Sequence, residues 1–259
     1  MAIASLTDSR VHYELAGPAE APVLVFSNSL GTNFSMWDAQ AAEVRKRLRV
    51  LRYDTRGHGQ SSVTPGPYSI EQLGQDVLAL ADVLKVDEFS FCGLSMGGLI
   101  GMWLGVHAGE RLRKLALCST AAKIGNEQTW NARIEAVRKN GMKSIAPSVM
   151  ERWYTAGFRQ RHREIVEGTK QMIENTDVEG YAGCCGALRE ADLRESIRAI
   201  RTPTVVITGA HDPTTPPADG RFLAERIPGA RYAELDAAHL CNVEDQAGFA
   251  SELSKFLAK

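Results

Sequence analysis

The chain has 259 residues, 44% of them hydrophobic and 24% charged, with a formal net charge of −1, which excludes a disordered tail or a fibre and suits one large core rather than two equal domains. Thirty basic residues against 31 acidic ones make no field for nucleic acid or an anionic membrane, so the expected partner is a small molecule. Cys92, Cys118, Cys184, Cys185 and Cys241 lack the spacing of a metal site and read as reduced thiols, and no secretory leader is visible before Asp8 and Arg10, so the expected location is cytoplasmic.

In chain order, an antiparallel hairpin is expected near residues 2–15. Apolar runs bounded by turn residues follow at PVLVFS (22–27) and RVLRYD (49–54), short and nearly continuous as in buried parallel strands. Ile70, Leu73, Val77, Leu80 and Leu84 recur at spacings of 3, 4, 3 and 4, which places them on one stripe of a helix, and Ser69 with Gln72 supplies its capping box. FSFCGLS (89–95) is the next strand. From Phe89 to Gly109 there is no Asp, Glu, Lys or Arg, but Gly93, Gly97, Gly98 and Gly101 mark a buried strand turning into a buried helix, not a membrane span. KLALCS (114–119) follows. Residues 121–201 then lose the strand signal and offer helical windows instead, QTWNARIEAVRK and KSIAPSVMERWYTAGF. Strand character returns at PTVVITG (203–209). The alternation predicts an α/β fold, a mostly parallel sheet with helices on both faces. Its core is residues 1–120 and 202–259, and residues 121–201 form an inserted helical cap.

Gly93-Leu94-Ser95-Met96-Gly97 stands where a strand turns into a helix, the context in which G-x-S-x-G reads as a nucleophile elbow. Neither a G-x-G-x-x-G pattern nor a phosphate-loop lysine accompanies it. A serine hydroxyl needs an imidazole to take its proton. Of the six histidines, His239 follows YAELD and precedes the last helix, so it projects from a loop at the carboxyl edge of the sheet. Its orienting acid belongs at another strand end, and Asp212 follows PTVVITG, whereas Cys118-Ser119-Thr120 offers no carboxylate. Asp236 lies so near His239 in sequence that it is expected to shape the loop. In the cap, Trp130, Arg133 and Val137 share one helix face over 129–140, an arrangement equally suited to a tryptophan covering the cap core beside a solvated arginine. Trp153 and Tyr154 are similar wall candidates. Arg159, Arg161 and Arg163 read as a solvated face, and Cys184 and Cys185 as packing residues.

These features together resemble the α/β-hydrolase superfamily over the whole chain. More narrowly, SNSLGTNFSMWD (27–38), YDTRGHGQSS (53–62), GLSMGG (93–98), ERWYTAGF (151–158), GYAGCCGALREADLR (180–194) and DAAHLCNVE (236–244) resemble bacterial 3-oxoadipate enol-lactonases. Asn28-Ser29 stands where the wider superfamily usually has His-Gly. The resemblance implies an oxyanion hole from the backbone N–H groups of Leu30 and Met96, and scaffold roles for Arg56 and His58. It implies a serine acyl-enzyme, no organic cofactor and no metal, and a lactone substrate bearing a carboxylate, hydrolysed during bacterial breakdown of aromatic compounds. That carboxylate requires a cation or several N–H donors from the cap, with Arg133 the candidate and Trp130 and Trp153 as walls. A general carboxylesterase or a carbon-carbon bond hydrolase could use the same triad. A noncatalytic binding module on the same fold is the remaining alternative, though all three triad positions are filled.

Overall fold

The structure is a computed structural model that describes residues 1–258. The chain opens with an antiparallel hairpin, β1 (Ala2–Ser5) and β2 (Arg10–Ala16), and continues through β3 (Val23–Ser27), α1 (Asp38–Val44), β4 (Arg49–Tyr53) and α2 (Ile70–Val83). Next come β5 (Phe89–Leu94), α3 (Met96–His107) and β6 (Leu112–Cys118). Five helices, α4 (Glu127–Asn140), α5 (Ala146–Trp153), α6 (Ala156–Arg161), α7 (Arg163–Glu174) and α8 (Val178–Glu190), separate β6 from β7 (Thr204–Gly209). The chain ends in α9 (Pro217–Arg226), β8 (Arg231–Leu235), the single turn α10 (Cys241–Glu244) and α11 (Gln246–Leu257).

All eight strands form one sheet in the order β1-β2-β4-β3-β5-β6-β7-β8, parallel from β4 to β8 and antiparallel only where β2 pairs with β1 and β4. β3, β5 and β7 are buried at every residue, which explains their unbroken apolar runs. Helices α1 and α11 pack together as one layer and α2 and α3 as another. The predicted helix at 70–84 is α2, and the Ser69 hydroxyl accepts from the Gln72 N–H at 3.0 Å as expected. No helix among the described residues is long and apolar enough to cross a membrane.

Two readings of the sequence are corrected. β8 was not foreseen as a strand because it is the sheet edge, where four of its five residues keep some exposure and no apolar run develops. The window 143–158 is not one helix: Tyr154 is extended, with φ −134° and ψ 143°, and Thr155 starts α6 by accepting from the Phe158 N–H at 3.3 Å.

Candidate active site

The turn between β5 and α3 positions Ser95. Its backbone is left-handed, with φ 58° and ψ −114°, a conformation that costs a non-glycine residue about 1–2 kcal/mol and persists only where neighbours enforce it. Here the Ser95 N–H donates to the Cys118 carbonyl at 2.9 Å and its carbonyl accepts from the Thr120 hydroxyl at 2.7 Å. A Cβ on Gly93 would collide with the Gly97 carbonyl, and one on Gly97 with the Ser27 carbonyl, so the turn requires both glycines.

Asp212 lies in the loop after β7 and His239 in the loop after β8. His239 Nδ1 is 2.7 Å from Asp212 Oδ2. The same carboxylate accepts from the Thr215 hydroxyl at 2.7 Å and, through its other oxygen, from the Thr214 and Thr215 N–H groups at 2.7 and 3.1 Å. Burial pulls the Asp212 carboxyl up, but His239 and the Thr215 hydrogen bonds outweigh it and hold it below the usual carboxylate range. An ionised Asp212 only accepts, so Nδ1 carries the imidazole proton and Nε2 is left with a lone pair. His239 Nε2 is buried without an acceptor or donor among the described residues, and His239 lines the same cavity as Ser95. Asp236 is turned to solvent and binds His211 Nε2 at 2.7 Å, which ties the His239 loop to the Asp212 loop.

Two stretches of backbone converge beside the serine. The Ser29 N–H donates to Met36 Sδ at 3.4 Å and the Gly31 N–H to His58 Nε2 at 2.9 Å. Likewise the Ser95 N–H is taken by Cys118 and the Gly97 N–H by the Asn28 carbonyl at 3.1 Å. The amides between them, Leu30 and Met96, have no acceptor among the described residues. Burial lowers the pKa of His58 to about 4, so the ring is neutral and Nε2 is available to accept from Gly31.

The cavity measures about 240 Å³ and is roofed by α4, α5, α7 and α8. Trp130, Arg133 and Trp153 all line it. Trp130 is held by its indole N–H, which donates to the Ile124 carbonyl at 2.7 Å, and Trp153 tilts over the His239 ring with centroids 5.8 Å apart. Tyr154 does not line the cavity: its side chain is buried and its hydroxyl meets the Thr169 hydroxyl at 2.8 Å, because the break after α5 turns it away from Trp153. Arg161 and Arg163 are exposed and Cys184 and Cys185 are buried in α8, as expected, but Arg159 is half-buried with its Nε out of solvent, so it does not belong to a solvated face. Among the described residues no group of three or more His, Cys, Asp or Glu side chains is arranged to hold a metal.

Sequence reasoning missed Arg152, Tyr181 and Thr214, and singled out Ser29 only as part of the Asn28-Ser29 pair; all four line the cavity. For Arg152 a signal existed, since Val149, Arg152 and Trp153 fall on one face of α5 by their spacing of three and four. Tyr181 carried none, because α8 is buried on nearly every side and shows no polar face.

A family model described as the alpha/beta hydrolase fold matches residues 22–246. The chain belongs to the alpha/beta hydrolase family. Within that family it is 48% identical to 3-oxoadipate enol-lactonase 2 of Acinetobacter baylyi over 93% of this chain and 91% of that protein. It is 41% identical to 3-oxoadipate enol-lactonase 1 of the same organism, over 94% and 91%. Among solved alpha/beta hydrolases, the enol-lactonase from Burkholderia xenovorans LB400 superimposes with a TM-score of 0.98 at 45% identity, covering all of both chains.

Proposed function

We propose that this alpha/beta hydrolase opens the ring of 3-oxoadipate enol-lactone to give 3-oxoadipate through a serine acyl-enzyme. The observation that carries the reading is the Asp212–His239 pair, with Nε2 unengaged in the cavity that Ser95 lines. The substrate is supported by the enol-lactonases to which the chain is 41–48% identical. Ser95 Oγ attacks the lactone carbonyl while His239 Nε2 takes its proton. The negative oxygen of the tetrahedral intermediate is met by the Leu30 and Met96 N–H groups, each worth about 3 kcal/mol. The ring C–O bond then breaks, the imidazolium returns the proton to the departing enol oxygen, and the enol tautomerises to the ketone. A water activated by His239 hydrolyses the acyl-enzyme and restores Ser95.

In this reading residues 121–201 are a cap that selects the substrate, with Trp130 and Trp153 as walls for the ring and Arg133 toward its carboxylate. No metal or organic cofactor takes part. The five buried free cysteines support action in the reducing cytoplasm, within bacterial breakdown of aromatic compounds.

The test is the loss of enol-lactone absorbance with wild-type protein and with Ser95→Ala. Wild type is expected to turn over, and Ser95→Ala to lose at least about 10⁴-fold in kcat while melting close to the wild-type temperature, since alanine keeps the Cβ and the same backbone and only the hydroxyl is lost. A folded Ser95→Ala variant within tenfold of wild type would overturn the serine mechanism.

A further inference from the structure

Arg133 of α4 and Arg152 of α5 reach the cavity from neighbouring helices. Among the described residues neither forms a salt bridge, although each is half-buried and lines the cavity. The one hydrogen bond either makes is from Arg133 Nη1 to the Tyr181 hydroxyl at 3.1 Å. Burial drives the Tyr181 phenol well above its ordinary value, so that acceptor is neutral and leaves the positive charge uncompensated. The remaining lining is largely apolar, with Trp130, Val149, Trp153, Ile173 and Leu188.

Two guanidinium groups that line one cavity repel each other. Burial, and after it the Arg133 charge, pushes the Arg152 guanidinium below its ordinary proton affinity. Placing like charges in a half-buried apolar pocket is unfavourable for the empty protein, and an anion seated between them removes both the repulsion and the unmet hydrogen bonds. A carboxylate fits that need, because its two oxygens offer about four acceptor sites to two planar forks.

We infer that Arg133 and Arg152 together form a carboxylate-binding site in the roof of the cavity, and that Arg152 is a specificity-determining residue that grips the same carboxylate as Arg133. The inference rests on the lactonase reading above and deepens it. The reacting carbonyl belongs to Ser95 and the two backbone amides on the floor, and the carboxylate arm of the substrate belongs to the roof. The arginine pair fixes which end of the lactone meets the serine. Tyr181 orients Arg133 by its hydroxyl and, being neutral, does not compete for the anion.

The experiment compares two lactones with the same ring and the same enol leaving group: 3-oxoadipate enol-lactone, and the neutral enol-lactone in which a methyl replaces the carboxymethyl arm. Wild type is expected to favour the charged lactone strongly in kcat/KM. Arg152→Ala should lower kcat/KM on the charged lactone by about 10- to 100-fold, mostly through KM, and cost at most about threefold on the neutral one. Arg152→Lys, which keeps the charge but loses the fork, is expected to recover part of the loss. The Arg133→Ala/Arg152→Ala double variant should lose less than the product of the two single losses, because both side chains act on one anion. Equal losses on both lactones, or no loss on either, would overturn the role of Arg152, and multiplying losses would overturn the shared carboxylate. Wild type that turns over the neutral lactone alone would instead sink the substrate reading, whatever the variants do, and the neutral lactone also reports whether each variant is folded.

Discussion

On the floor of the cavity, the Asp212 carboxylate accepts from His239, Thr214 and Thr215, and the amides flanking Leu30 and Met96 all have acceptors. On the roof, Arg152 has no hydrogen-bond partner among the described residues and Arg133 has only the Tyr181 hydroxyl. The floor is built from strand ends of a buried sheet, where the groups that flank the reacting atoms are hydrogen-bonded, while His239 Nε2 and the Leu30 and Met96 N–H groups have no partner among the described residues. The roof is built from helices packed by side chains, and its cations are left for the ligand to satisfy. In the reading proposed above, the reacting atoms meet the half held by strand-end hydrogen bonds, and discrimination between substrates falls to the unpaired cations of the other half.

Glu244 joins the two halves, and removing it is the severest way to break the comparison. Its carboxylate accepts from the Ala238 N–H at 3.0 Å, beside His239, and from the Thr155 N–H at 3.2 Å and the Thr155 hydroxyl, at the break between α5 and α6. A second link runs from the Leu240 N–H to the Trp153 carbonyl at 3.1 Å. Glu244→Ala leaves several donors unmet at once, so the expected loss of stability is about 3 kcal/mol or more, a fall of roughly 6–12 °C in Tm. kcat should fall on charged and neutral lactones alike, because the histidine loop loses its brace, and Glu244→Gln should restore part of both losses. Calorimetry and kinetics on the two variants check this, and an unchanged Tm for Glu244→Ala would show that the roof and the histidine loop are held independently.

His58 tests the hydrogen bonding of the floor. Its ring accepts from the Gly31 N–H next to Leu30, and burial lowers its pKa from 6.5 to about 4. A base whose folded pKa is depressed takes up its proton more readily when unfolded, so its contribution is intact above pH 6.5 and lost as pH falls toward 4. The span corresponds to roughly 3 kcal/mol. His58→Gln, which keeps an acceptor but does not titrate, is expected to flatten the acid limb of Tm against pH over that window. Parallel curves for variant and wild type would place the acid sensitivity elsewhere.

The contrast between floor and roof also decided how much could be read from the sequence. Ser95, Asp212 and His239 stood out because sharp turns at strand ends leave local marks: flanking glycines, a turn aspartate before proline, and a histidine ahead of the last helix. The buried strands were legible for the same reason, as unbroken apolar runs between turn residues. β8 was not, because an edge strand has an exposed side and so no such run. In the insertion, Trp130 and Arg133 could be placed on one face of α4, but the Tyr154 break that splits the 143–158 window is imposed by packing, through Glu244 and Thr169, far away in sequence. Arg133, Arg152 and Tyr181 come to one cavity from three helices, and no local periodicity reports that convergence.

The smallest effect compares the two regions through the same chemical loss. Ser69 caps α2 beside the sheet by accepting from the Gln72 N–H at 3.0 Å, and Asn126 caps α4 in the roof by accepting from the Thr129 N–H at 2.9 Å. Replacing either by alanine removes one helix-end hydrogen bond, worth about 1 kcal/mol, or roughly 2–4 °C in Tm for a chain of this size. The roof is pressed closely onto the core: Gly180 of α8 meets Gly57 with no room for a Cβ on either, and the Tyr68 N–H donates to the Gly183 carbonyl at 3.1 Å. Both regions are thus expected to unfold in one transition, and Ser69→Ala and Asn126→Ala to lower the same Tm by the same amount. They should part in kinetics. Ser69→Ala leaves kcat and KM as in wild type, while Asn126→Ala frays the first turn of α4, which carries Trp130 and leads to Arg133, and raises KM for the charged lactone severalfold. A normal Tm for Asn126→Ala, with that raised KM and faster proteolysis within 121–201, would mean that the roof opens on its own and that its unpaired arginines belong to a mobile lid.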